Sequence, residues 1–182
     1  MKRISLVALF AVLLLGMTSI AGAAASAKLN TFGTGVVTIT GVDSATIVND
    51  PGEFGGVFLT SHSQGAKPLN QVVFQFTSRG DVQGGAPRFS IGIDTDGNPN
   101  SNNGFAFLDA AGCGATVGPN TTIATLVSTQ NPACHVNFNS VDYANWDAFA
   151  AAFPSARTNP GGTPFIIADV AGSYNVTDIV LR

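Results

Sequence analysis

Apolar and polar residues alternate with a period of two in short runs along most of the chain, and each run stops at a cluster of Gly, Pro, Asn or Asp. Successive side chains of a strand point to opposite faces, so this pattern demands strands that bury one face. The clearest run is Arg88-Phe89-Ser90-Ile91-Gly92-Ile93-Asp94, with Phe89, Ile91 and Ile93 on one face and Arg88, Ser90 and Asp94 on the other. A slip of one residue would turn the apolar set to the wrong side, which fixes the register.

The same reading predicts strands near Gly35 to Thr40, Ser44 to Val48, Gly56 to Ser61, Gln71 to Thr77, Gly104 to Leu108, Thr122 to Val127, Cys134 to Phe138, Pro164 to Asp169 and Tyr174 to Leu181. Between them lie turn-forming clusters such as Asn49-Asp50-Pro51-Gly52, Gly84-Gly85-Ala86-Pro87 and Asn159-Pro160-Gly161-Gly162. Short strands without a βαβ rhythm predict an all-β fold, an antiparallel two-sheet sandwich of jelly-roll type, with closure into a barrel as the alternative.

One segment breaks the rhythm. Trp146, Phe149, Ala150 and Phe153 recur at helical spacing, which predicts a short helix over Val141 to Phe153, capped by Asn139 or Ser140 and stopped by Pro154. Its aromatic face is expected to plug an open end of the sandwich rather than to stack a ligand.

Residues 1–27 read as an export signal: Lys2 and Arg3, an apolar core from Ile4 to Gly16, then small residues around Ala21-Gly22-Ala23 and Ala25-Ser26-Ala27. The alternative is an uncleaved membrane anchor. With the signal set aside, residues 28–182 form one domain without a visible linker or internal repeat, and no cysteine lies near the cleavage region to take a lipid. Cleavage removes two of the eight basic residues and none of the eleven acidic ones, leaving a net charge of −5. Lys28, Lys67, Arg79, Arg88, Arg157 and Arg182 are scattered singly, which argues against nucleic acid and against an anionic membrane surface as partners.

The cysteines are two, Cys113 and Cys134. In an exported chain an even pair predicts a disulfide, and closing a loop of roughly 20 residues stabilises by about 3 kcal/mol. A metal site or a redox pair would need further ligands nearby or a tighter spacing.

The densest polar stretch runs from Asp94 to Gly104. Asp94, Asp96, Asn98 and Asn100 place oxygen donors at every second residue, a spacing from which several can converge on a calcium ion, which takes roughly six to eight oxygens. An EF-hand loop has its glycine at the sixth position and a glutamate at the twelfth, whereas here Gly97 is fourth and Phe105 is twelfth, and ordinary turn chemistry explains the same residues.

Catalytic signatures are sparse. His62 and His135 are isolated, the neighbouring serines of His62 point to the opposite strand face, and Glu53 is the only glutamate. An extracellular hydrolase is therefore the least favoured reading. The favoured one is a secreted, non-catalytic sandwich that binds a carbohydrate or a cell-envelope polymer, with Phe54, Tyr143 and Tyr174 as candidate stacking rings and calcium in the loop. A structural or matrix domain without a small-molecule site is the alternative. The sequence does not fix the oligomeric state.

Overall fold

The computed structural model describes residues 28–60, 65–98 and 103–182. The expected signal segment lies outside them, as do His62 and Asn100. Two antiparallel sheets are stacked face to face. The larger contains β1 (Leu29–Gly33), β4 (Gly55–Leu59), β6 (Arg88–Asp94), β7 (Gly104–Asp109), β9 (Val136–Phe138), β10 (Val141–Tyr143), β11 (Arg157–Thr158) and β12 (Phe165–Ala168). Its order is β1-β4-β12-β6-β7-β9-β10, with the two-residue β11 paired to the end of β6. The smaller sheet has the order β2-β3-β13-β5-β8, from β2 (Val36–Gly41), β3 (Ser44–Asn49), β5 (Phe74–Val82), β8 (Gly118–Ser128) and β13 (Gly172–Leu181). Each sheet keeps its own edge strands, so the fold is a sandwich and not a closed barrel.

Both sheets are completed from the C-terminal end of the chain. β12 inserts between β4 and β6, and β13 inserts between β3 and β5. The centre of each sheet therefore forms only after the last residues arrive, which makes the contacts strongly non-local.

The core lies between the layers. Ile47, Phe74, Phe76, Val127 and Val176 of the small sheet face Val57, Phe89, Ile91, Leu108 and Ile166 of the large one, and all are shielded from solvent. Phe74 of β5 stacks on Phe89 of β6 with ring centroids 3.4 Å apart, a contact that crosses from one sheet to the other. Each such side chain contributes roughly 1.5–3 kcal/mol when removed from water.

Cys113 and Cys134 are joined. The bond lies where the chain leaves the large sheet after β7 and where it returns before β9, so it closes the excursion that carries β8 to the edge of the small sheet.

The helix is shorter than its sequence pattern predicts: α1 spans Trp146–Ala152, and Val141 to Tyr143 form β10 instead. Asn139 and Ser140 do not cap it. With φ of 51° and 64° they are the two central residues of the β9–β10 hairpin, where Val141 pairs with Phe138, and a two-residue loop with positive φ at both positions matches the twist of its strands. The cap is Asn145, whose side-chain oxygen accepts the Ala148 N–H at 2.9 Å. The expected end at Phe153 is observed. Trp146 and Phe149 are buried, the indole donates to the Leu69 carbonyl at 2.8 Å, and Phe149 packs on Phe138 and Tyr143. The aromatic face of the helix thus packs on the body of the fold.

Candidate functional site: the aromatic face of the large sheet

The polar loop after β6 holds itself together. Asp94 is buried, and its Oδ1 accepts the N–H groups of Asp96 at 3.0 Å and Gly97 at 2.7 Å. Asp96 Oδ1 accepts the Asn98 N–H, and its Oδ2 accepts the Asn103 amide. Backbone amides thus occupy one oxygen of Asp94 and one of Asp96, the chemistry of Asx turns. Among the described residues no group of three or more His, Cys, Asp or Glu is placed to hold a metal ion.

The three rings singled out in the sequence do not form one surface. Phe54 is 41% exposed and lies just before β4, near one edge of the large sheet, whereas Tyr143 is half-buried on β10 at the other edge. Tyr174 is fully buried, with its hydroxyl donating towards the Val170 and Ala171 carbonyls. Burial, with Asp81 and Asp169 nearby, pushes its phenol up to about 12. Tyr174 is on the core face of β13, because Tyr174, Val176 and the core partners of β3 and β5 share one side of the pleat.

Glu53 accepts the Asp50 N–H in a turn, and His135 is exposed beside β9. A cleft of about 300 Å³ between α1 and the 3-10 turn at Leu69–Gln71 brings the Asp147 carboxylate to a mainly apolar wall that includes Leu69 and Phe153.

A different set of rings comes together on the outer face of the large sheet. Phe32 of β1, Phe58 of β4, Phe165 of β12, and Phe105 and Phe107 of β7 all alternate away from the core, and each remains partly exposed. Phe32 and Phe58 lie 4.3 Å apart between centroids, and Phe165 meets Phe32 at 5.7 Å and Phe58 at 6.1 Å, edge to face. Phe105 meets Phe165 at 5.7 Å and Phe107 at 6.4 Å. The band runs from β1 to β7 across four inter-strand gaps, roughly 19 Å at the usual strand spacing.

Small residues lie beneath it. Gly56 on β4 faces Phe32 in register, and a Cβ there would come within 2.6 Å of the Phe32 ring. Gly92 on β6 faces Phe105. Ser90, between Phe165 and Phe107 in register, points outward and is nevertheless fully buried, because rings from both sides lean over β6.

A polar pair borders the rings. Arg88 donates from both terminal nitrogens to the two carboxylate oxygens of Asp169, at 2.9 and 2.6 Å, and its guanidinium carbon stands 5.3 Å from the centre of the Phe107 ring. Both side chains are partly exposed, at 25% and 33%. Three of the five N–H donors of a guanidinium stay outside such a two-bond fork, and the carboxylate keeps unused lone pairs. The pair therefore offers a donor and an acceptor side by side next to an aromatic surface.

No protein-family model, curated protein or solved structure matches the chain. Among the described residues no helix is long and apolar enough to cross a membrane.

Proposed function

We propose that the protein is an exported, non-catalytic binding module that lays a polysaccharide of the cell envelope or surrounding matrix along the outer face of its large sheet. The observation that carries this reading is the aromatic band with the Arg88–Asp169 pair at its border. Sugar rings present apolar C–H faces that stack on aromatic rings, and adjacent hydroxyls that match a neighbouring donor and acceptor. Apolar walls with a few placed polar groups are the usual make-up of a ligand surface. The band is open and crosses β1, β4, β12, β6 and β7, which suits a chain better than a single sugar.

Export is supported by the disulfide and by the apolar N-terminal segment. Recognition on this face does not require calcium in the Asp94 loop, where one oxygen each of Asp94 and Asp96 accepts backbone N–H groups. The Arg88 charge is matched by Asp169, so retention is expected to survive high salt, unlike binding driven by net charge.

The test is retention on insoluble cellulose, chitin, xylan and isolated peptidoglycan. The wild-type chain is expected to be retained on at least one, and a folded Phe58→Ala/Phe165→Ala double variant to be released. No retention on any of the four, or equal retention of the double variant, removes the proposal.

A structural role in a surface layer is the second reading. It is favoured by exposed Val36, Ile39, Val42 and Val48 on and beside the uncharged edge strand β2, a surface of the kind that pairs with another chain. Self-association measured by sedimentation, with loss on Thr38→Lys, would favour this reading.

A further inference from the structure

Three buried side-chain atoms among the described residues lack a hydrogen-bond partner: Asn49 Oδ1, Ser78 Oγ and Ser90 Oγ. The first two belong to the inner side of the small sheet, where Asn49 follows Ala45 and Ile47 along one face and Ser78 follows Phe74 and Phe76. Ser90 differs. It lies on the outward side of β6, since its neighbours Phe89 and Ile91 fill the core, and Phe165 and Phe107 of the aromatic band flank it in register.

A hydroxyl buried without a partner destabilises a fold, and alanine would occupy the same room without that cost. The space beneath the rings calls for a small residue at position 90 but not for an oxygen. Such an oxygen is explained if it is satisfied in the bound state. From the polysaccharide reading of the aromatic face, on which this step rests, we infer that Ser90 Oγ is its recognition atom. It hydrogen-bonds one ligand hydroxyl, admitted when the Phe105 and Phe165 rings part.

The surroundings permit this. Phe105 and Phe165 are each partly exposed and touch edge to face at 5.7 Å, so swinging one towards solvent disrupts far less packing than moving a core ring would. Partly exposed side chains change rotamer quickly compared with the lifetime of a bound complex. Gly92, the register partner of Phe105, has no side chain to hold that ring in place. Arg88 lies two residues before Ser90 on the same face, and its guanidinium rests over Phe107, the register partner of Ser90. A hydroxyl on Ser90 therefore has the Arg88–Asp169 pair beside it, and two neighbouring hydroxyls of one sugar ring would be read together. The ligand class is a polymer with adjacent hydroxyls on a ring whose opposite face is apolar.

Ser90→Ala separates this role from a structural one, because the two readouts are expected to move in opposite directions. The melting temperature rises as the unpartnered hydroxyl is removed. Affinity for whichever of cellulose, chitin, xylan or peptidoglycan retains the wild-type chain falls roughly five- to tenfold, the worth of one neutral hydrogen bond. Ser90→Gly, which also lacks the oxygen, is expected to lose affinity to the same extent. Unchanged affinity in Ser90→Ala overturns the inference and leaves the polysaccharide reading standing. A lower melting temperature overturns it too, since the hydroxyl would then be satisfied in the free protein. Failure of the wild-type chain to bind any of the four polymers overturns both.

Discussion

Phe105 on β7 and Phe165 on β12 meet with ring centroids 5.7 Å apart although β6 runs between their strands. Two strands separated by a third stand roughly 10 Å apart, so the rings close the distance by leaning over the intervening backbone. Gly92 and Ser90 make this possible by placing almost nothing on the outer side of β6. The result is a second, thin apolar layer on a sheet whose other side already faces the core. A sandwich needs only one apolar side per sheet, and the extra layer is what sets this surface apart.

The smallest side chains under that layer are expected to be intolerant of growth. At Gly56 an added Cβ would fall on the Ile166 carbonyl oxygen and within 2.6 Å of Phe32 Cζ. The first contact is backbone and cannot move without breaking the β4–β12 ladder. Gly56→Ala is expected to cost about 1–3 kcal/mol by overpacking, read from urea denaturation midpoints. A variant as stable as the wild type would mean that Phe32 does not lie over β4.

Arg88 and Asp169 are expected to matter more for binding than for stability. A partly exposed ion pair is worth about 0–1 kcal/mol, so Arg88→Lys, which keeps the charge and loses the two-pronged geometry, should change stability by less than that. Retention on the polysaccharide that binds the wild type should drop clearly. Equal retention would show that the pair only decorates the edge of the band.

Much of the fold was legible because strand faces leave a mark on the chain. β6 has the limits that its alternation predicts, Arg88–Asp94, and β3, β7 and β13 agree within two residues. β1 escaped because Leu29 is its only buried residue, so the run Leu29-Asn30-Thr31-Phe32-Gly33 carries no period of two. β10 falls where the helical spacing predicts the first turn of the helix. The decisive residues there are Asn139 and Ser140, whose left-handed backbone makes a hairpin turn although neither is glycine. The aromatic face was not legible at all, since an outward Phe and a core Phe look alike in sequence. One sign was available: Val57-Phe58-Leu59, Phe105-Ala106-Phe107-Leu108 and Phe165-Ile166-Ile167-Ala168 are apolar on both faces. Such strands bury both sides or expose one, and only the strand order decides which.

The disulfide should act on β8 more than on the sandwich as a whole. It links residues 21 apart in sequence and encloses the whole of β8. Replacing both cysteines by alanine is expected to lower stability by about 3 kcal/mol in denaturant titrations, the loop-closure entropy of a ring of this size. Amide exchange should accelerate first along β8, an edge strand paired only with β5 among the described strands. Uniform acceleration through β6 and β12 would show that the bond supports the centre of the fold instead.

Alkaline pH should act through Tyr174. Its ring is fully buried, its hydroxyl is held by the Val170 and Ala171 carbonyls, and burial together with Asp81 and Asp169 raises its pKa to about 12. A phenol in the unfolded chain titrates near 10. Above that point the unfolded state gives up its proton first, so the stability that depends on a neutral Tyr174 is complete below pH 10 and declines as pH rises through 12. With Tyr143→Phe, Tyr174 is the remaining tyrosine, and the near-ultraviolet absorbance of its phenolate should appear about two units later in the folded protein than after denaturation in urea. Tyr174→Phe should flatten the stability profile over the same interval. A phenolate that forms near pH 10 in the folded protein would mean that solvent reaches the hydroxyl, and that the end of the sandwich around Asp81 is open.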